Sequence, residues 1–391
     1  VRAVEASKAG QKSIEYLGDT SSGILLDCST KEEELRKGRE KAAEGFSLGQ
    51  SRTPSQLEAL RKKEEIILES YDAGKAAALF ALFVENGTWQ CPTLTLLRSR
   101  SYMDDKNFTD DARLKYMPKG IKEHWEPKNN PSISSLSAED WAMRKKVFSK
   151  KLEIVGPMRR AGVKFIAGTD LGNPYCFPGF SLHDELGLLV KAGLTPMEAL
   201  QAATYNAAEF LGMKDSLGTV EAGKIADLVL LEADPLEDIG NTRKIAAVVV
   251  NGKCYLKPAL DKMLAKVEAL ANAPSIAEPM LKTIIEKDVQ AAIQQYYELK
   301  ASQPDAFDFS AEGLSSLADR LLQMKKLKEA VEVCRLNVKL HPQSSKAYDR
   351  LALAFLANGD KELAIKNYEK SLELNPLNTN ATEMLKKLKK E

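Results

Sequence analysis

The sequence predicts a mixed α/β domain followed by an all-α repeat tail. Three observations predict it. Short apolar runs alternate with amphipathic stretches from residue 1 to about 212, short strands crowd residues 218–258, and the end of the chain repeats itself at a regular interval.

In the first region, three apolar runs read as buried strands. One ends near Ile14, one is Thr88 to Thr95, and the clearest is Val163-Lys164-Phe165-Ile166-Ala167-Gly168. Between them, residues 55–86 read as one or two helices and Ala138 to Ala161 as another. Strand alternating with helix points to a parallel sheet or a barrel. Residues 97–137 are polar, with Pro118, Pro127, Pro131 and a Ser-rich run, and read as a long inserted loop. It caps an active site or is a plain surface loop.

Next comes a helix start. Thr195 is placed to cap, Pro196 fits the first turn, and Glu198 completes a capping box. Residues 226–232 and 245–255 read as strands, with Asn251-Gly252 as a hairpin turn. In the tail, Ala330 returns as Ala364, Pro342 as Pro376, Leu317 as Leu351 and Leu321 as Phe355. All four offsets are the same and equal the tetratricopeptide period of about 34 residues. A looser copy precedes them, with Ala292 and Pro304 each slightly more than one period ahead of Ala330 and Pro342. Together these readings divide the chain into 1–217, 218–258, a linker at 259–279, and 280–391.

The 391 residues leave room for two or three domains, and 44% hydrophobic with 28% charged residues is ordinary for globular protein. Lys plus Arg (56) nearly cancel Asp plus Glu (55). A net charge of +1 creates no field that draws nucleic acid or an anionic membrane. No run reaches the roughly 18 apolar residues of a membrane span, so a soluble protein is expected, its compartment unspecified. Cys28, Cys91, Cys176, Cys254 and Cys334 form no C-x-x-C and read as free thiols. Nucleotide-binding glycine loops are absent.

Asp170, in Ala167-Gly168-Thr169-Asp170, directly follows the strongest strand. In a (β/α) barrel the C-terminal strand ends carry the catalytic groups, and a carboxylate there binds metal and moves protons. The other reading is an Asp that caps the next turn.

The segment from Ala161-Gly162-Val163 through Gly168-Thr169-Asp170 resembles the last barrel strand of the metal-dependent amidohydrolase superfamily, of the imidazolonepropionase-like kind. So do His183-Asp184-Glu185-Leu186, Lys191-Ala192-Gly193-Leu194-Thr195-Pro196, Ala202-Ala203-Thr204-Tyr205-Asn206-Ala207-Ala208, and the stretch from Leu217-Gly218-Thr219 to Ala226-Asp227-Leu228-Val229. The ordered motifs span about 100 residues and the weaker similarity roughly residues 1–258, with the tail outside it.

This resemblance implies the C-terminal part of a (β/α)8 barrel, with a remnant of a small composite β-sandwich at 218–258. It implies one or two divalent metals, commonly zinc. In the family these are held by a His-x-His pair, a Lys or Glu, two further His and a final Asp, which maps onto Asp170. Its implied role is metal ligand and proton shuttle. The family's sixth-strand motif reads Ile-Glu-His, whereas Ser13-Ile14-Glu15-Tyr16-Leu17 places Tyr16 at the His position. Tyr, with a pKa of about 10, is a poor ligand at neutral pH. Tyr16 is therefore a doubtful metal position or a core aromatic.

Of the chain's histidines, His341 reads as structural before Pro342 and His124 as solvated beside Trp125. His183 matches a His-x-Glu-Leu element and is a candidate substrate contact, or a plain helix-face histidine. A full barrel takes about 250 residues. Three strands with one large insertion read as strands six to eight, so a longer natural chain is expected, with Val1 as a fragment boundary and the remaining ligands upstream.

The expected activity is hydrolysis of an amide-like carbon–nitrogen bond in a small or peptide-like substrate, with the chain as given inactive alone. The alternative is a degenerate amidohydrolase serving as a binding module, with a protein partner on the repeat tail. Nucleic acid and membrane are not expected as partners.

Overall fold

The computed structural model describes residues 2–18, 23–42, 52–130 and 133–389. The chain falls into two units, Val1–Leu114 with Lys119–Met263, and Lys115–Pro118 with Leu264–Glu391. The first is mixed α/β and the second is helical. Among the described residues, no helix is long and apolar enough to cross a membrane.

The three expected buried strands lie side by side. β1 (Ser13–Glu15) runs parallel to β2 (Trp89–Cys91), with Ile14 opposite Gln90. Residues 164–166 add a third parallel segment. The Gln90 N–H donates to the Lys164 carbonyl at 2.9 Å, and the Ile166 N–H to the Gln90 carbonyl at 3.0 Å. Parallel neighbours need crossover connections, usually helical. Pro54–Glu69 and Ala73–Glu85 lead into β2, and Ala138–Arg160 leads into residues 164–166.

Each of these helices starts on a polar cap that satisfies a free backbone donor: Thr53 with Pro54 behind it, Asp72, and Ser137 with Asp140 in a reciprocal capping box. Their apolar faces bury Ile67, Phe80, Phe83, Val155 and Met158 against Leu17 and Leu25. The motif after the third segment anchors it. The Asn206 amide donates to the Phe165 carbonyl at 2.9 Å, and the Ala167 N–H to the Ala202 carbonyl at 3.0 Å.

Two expectations need correction. The strand read from Thr88 to Thr95 ends at Cys91, and a helix, Leu94–Tyr102, begins just beyond it. Pro92 lacks a ladder donor, and Thr93 turns the backbone left-handed (φ 52°). The stretch 97–137 is not a loop. It holds most of that helix, then Lys106–Thr109, Lys119–Trp125 and short 3₁₀ turns. Trp125 anchors it within 5.5 Å of Tyr175 and 5.3 Å of Phe177, ring centre to ring centre.

Downstream, β3 (Leu228–Leu231), β4 (Ile245–Val250) and β5 (Lys253–Leu256) form an antiparallel sheet. Asn251 (φ 51°) and Gly252 (φ 71°) are both left-handed, as a tight hairpin turn requires. Residues 259–279, read above as a linker, include most of the helix Lys257–Ala271.

In the helical unit, Ala311–Gln323, Ser345–Ala357 and Thr379–Leu388 begin one repeat period apart, as do Leu327–Leu340 and Lys361–Leu374. Ala330 and Ala364 are fully buried, where a larger side chain would force the helices apart. A polar contact repeats with the same period. The Asn337 amide donates to the Ala311 carbonyl at 2.9 Å, and one repeat later the Ser371 hydroxyl donates to the Ser345 carbonyl, also at 2.9 Å. Ala277–Glu286 and Val289–Ser302 make an earlier helix pair, and Ala292 is buried there as Ala330 is in the next.

Candidate functional site

The C-terminal ends of the three parallel segments share one backbone feature. Tyr16 (φ 56°) and Leu17 (φ 53°) follow β1, Thr93 (φ 52°) follows β2, and Asp170 (φ 50°) follows the third segment. Left-handed backbone at a residue other than Gly costs on the order of 1–3 kcal/mol, and such strain gathers at functional sites. Here it turns the chain sharply at each strand end and brings distant side chains to one rim. Gly168 is required by space: a Cβ there would lie 2.5 Å from the Cys91 sulfur.

Two sequence-predicted residues meet at that rim. The Tyr16 hydroxyl donates to Asp170 Oδ2 at 2.9 Å, across 154 residues of chain. Burial raises the Tyr16 phenol above its ordinary value, and the adjacent Asp170 carboxylate raises it further. The phenol therefore stays protonated at neutral pH and acts as a donor. Lys151, 1% exposed on the Ala138–Arg160 helix, donates from Nζ to the Tyr16 carbonyl at 2.9 Å and fixes the turn. Asn173 donates from its side chain to the Asp170 carbonyl at 3.0 Å and bounds the loop on the other side.

His183 is not part of this pair. It lies on the helix Ser181–Lys191, and its Nδ1 is 3.0 Å from the Thr242 hydroxyl. Burial and the nearby Arg243 charge hold its imidazole below the usual histidine range. His124 is exposed.

The same helix carries two carboxylates with roles that sequence reasoning passed over. Glu185 is fully buried and accepts from the Leu94 N–H (2.9 Å), the Thr95 N–H (2.7 Å) and the Thr95 hydroxyl (2.9 Å). It caps from outside the helix that begins after Thr93, whose own side chain makes no cap. Burial pushes its carboxyl up to about 7 against the pull of those donors. Asp184 takes Arg98 (3.2 Å), Arg113 (2.8 Å) and Arg243 (2.6 Å), drawing three segments to one carboxylate. One signal was readable: Glu185 sits three and four residues before Leu188 and Leu189, on the apolar face of its helix.

The thiols nearby are not nucleophiles. Burial raises both Cys91 and Cys176, the latter to about 12, so neither is ionised at neutral pH. The described donors also do not fit a divalent metal unaided. No cluster of three or more His, Cys, Asp or Glu side chains suited to one occurs among the described residues. Asp170 shares the rim with Glu15, which lies beside Cys91, and the hydrogen-bond partner of Asp170 is a protonated phenol, which has no charge to offer a metal. What the rim offers is a carboxylate oriented by a neutral donor, an arrangement suited to proton transfer.

Residues 110–254 match the amidohydrolase family, and residues 345–378 match the tetratricopeptide repeat. The chain is 40% identical over 84 residues to the imidazolonepropionase of Pseudomonas syringae pv. tomato, 21% of each protein. It is 33% identical over 130 residues to the ochratoxinase of Aspergillus niger, covering 32% of this chain and 26% of that enzyme. The chain thus spans about a fifth to a quarter of the length of these curated relatives. Among solved structures, the bottromycin amidohydrolase aligns over 70% of this chain and 51% of its own, at 21% identity and a TM-score of 0.48. The first TPR of Spaghetti, bound to an HSP90 peptide, aligns over 29% of this chain and 88% of its own, at 30% identity and a TM-score of 0.22.

Proposed function

We propose, for a chain that carries an amidohydrolase family domain and a tetratricopeptide repeat, that its α/β unit serves the hydrolysis of an amide-like carbon–nitrogen bond. The Tyr16–Asp170 hydrogen bond at the strained rim carries this reading. Asp170 takes a proton from the attacking water as the new C–O bond forms. It then delivers that proton to the nitrogen as the C–N bond breaks. Tyr16 aims the carboxylate and, remaining protonated, does not compete for that proton. General acid–base transfer of this kind contributes about 10²–10⁴-fold to rate.

The expectation of one or two divalent metals, zinc foremost, rests on the family. The donors described in this chain do not form that site, so no step is routed through a metal. The substrate class is a small amide or peptide-like molecule. It is tested by assaying the protein isolated from its source against N-acyl amino acids, cyclic amides and dipeptides. Turnover of at least one class supports the reading, and none across the panel overturns it.

One observation favours a second reading: the position where the family has a metal-binding His holds a Tyr that is hydrogen-bonded to Asp170. On that reading the α/β unit is a binding module, and the repeat tail takes a protein partner along its groove. Metal content of the protein isolated from its source separates the two. About one or two metals per chain favours the hydrolase, and metal-free protein without turnover favours the module.

A further inference from the structure

A cleft of about 390 Å³ opens in the α/β unit between the helices Leu94–Tyr102, Ala138–Arg160 and Ser181–Lys191. It is more than twice the roughly 150 Å³ cavity that holds one benzene ring. Its floor is one face of the helix Ser181–Lys191, where Asp184, Gly187 and Lys191 follow at helical spacing. Tyr102, Phe108 and Phe148 make an aromatic wall, the Phe148 ring meeting Tyr102 edge-on at 5.9 Å. Arg98 and Arg243 also line the space.

The floor is kept open by a missing side chain. Gly187 lies inside an ordinary helical stretch, and a Cβ there would meet nothing within 4 Å. Glycine weakens a helix relative to alanine, and neither backbone angle nor crowding calls for it here. Its effect is room above the helix.

Charge does not balance around this floor. Asp184 accepts from Arg98, Arg113 and Arg243, and Asp111 also answers Arg113. Three guanidinium groups thus share two carboxylates, which leaves one positive charge. Lys191 adds a second: it is exposed at the end of the same face, and its side chain has no ion pair or hydrogen bond among the described residues. The charges at the aromatic wall cancel, because Lys145, over the Tyr102 ring, pairs with Asp104 at 2.7 Å. An excess of two cations in a cleft with an aromatic wall favours an anion of matching charge on a flat apolar body. A phosphate monoester carries nearly two negative charges at neutral pH, and both lysine and arginine bind it. A monocarboxylate would leave one cation unanswered.

We propose that this cleft binds a small aromatic phosphate monoester, its phosphate on Lys191 and Arg243 and its rings above Gly187 against Tyr102, Phe108 and Phe148. The inference does not depend on the hydrolytic reading.

Calorimetric titration of the chain with 1-naphthyl phosphate tests it, with 1-naphthol and inorganic phosphate as comparisons. Saturable binding of 1-naphthyl phosphate is expected, at least tenfold tighter than either. Gly187→Leu fills the cleft with a residue that favours helix and should weaken binding at least tenfold with an unchanged circular dichroism spectrum. Lys191→Gln should weaken it at least fivefold. Should Gly187→Leu fail to fold, the exposed Lys191 still decides the matter. Either comparison compound binding as tightly as 1-naphthyl phosphate overturns the proposal, as does the absence of saturable binding. Folded variants that bind like the parent overturn it too.

Discussion

The Tyr16 hydroxyl reaches Asp170 Oδ2 at 2.9 Å, and both residues hold left-handed backbone at the ends of parallel strands. The bond ties the first strand end to the last across a rim that β2 also shares. It sets the direction in which the Asp170 carboxylate accepts a proton.

Removing only that hydroxyl should separate positioning from folding. Tyr16→Phe is expected to lower kcat about tenfold while costing on the order of 1 kcal/mol of stability, the worth of one half-buried hydrogen bond. Steady-state kinetics beside denaturant unfolding checks both. A kcat equal to that of the parent would remove Tyr16 from the mechanism.

Glu185 makes stability depend on pH in a definite sense. Its carboxyl, near 7 in the fold against an ordinary 4.5, binds its proton more tightly when folded. Its contribution is therefore fully present below about 4.5 and is lost as pH rises through 7, by on the order of 3 kcal/mol. Comparing parent and Glu185→Gln at pH 4.5 and pH 8 measures this. All three tryptophans, Trp89, Trp125 and Trp141, lie in the α/β unit, so their fluorescence reports that unit alone. A parent-minus-variant stability that does not fall with rising pH would contradict the assignment.

Gly168 and Cys91 should be coupled. Gly168→Ala pushes a methyl to within 2.5 Å of the Cys91 sulfur and is expected to cost about 1–3 kcal/mol. Cys91→Ala removes the obstructing atom. The double variant should recover at least about 1 kcal/mol relative to additivity. Strict additivity in a double-mutant cycle would show that the close approach does not limit this position.

Asp184→Asn leaves Arg98 and Arg243 without that carboxylate, whereas Arg113 keeps Asp111. Because the guanidinium groups are partly exposed, the expected loss is about 2–3 kcal/mol, below the range for a fully buried pair. Thermal unfolding followed by tryptophan fluorescence reads it. A loss under about 0.5 kcal/mol, no more than an ordinary surface substitution costs, would mean that the insertion and the Ile239–Arg243 turn are held by other contacts.

Much of this arrangement was legible in the residues. The apolar runs around Ile14 and Phe165 and the start of the run from Thr88 marked the three parallel segments. The equal offsets in the tail marked the repeating helices, because small residues must recur wherever those helices cross. Asp170 was singled out because it follows the clearest strand. The illegible parts depend on distant partners. No local pattern around Tyr16 shows that it will meet residue 170; only the resemblance, which puts both at metal-site positions, points that way. Glu185 reaches a helix start some 90 residues earlier, and that helix straddles the end of a run read as strand and the start of a stretch read as loop. The insertion was misread because its polar surface outweighs the few aromatic anchors, Trp125 among them, that fold it.

The most direct measurement is kcat for amide hydrolysis by the protein isolated from its source, against the same protein carrying Asp170→Asn. The substitution keeps the side chain's size and lets the amide oxygen still accept from Tyr16, but it removes the basic carboxylate. The account predicts a loss of about 10²–10⁴-fold with unfolding unchanged. A variant within about tenfold of the parent would contradict it, because a residue that moves the essential proton cannot be replaced by one that accepts none.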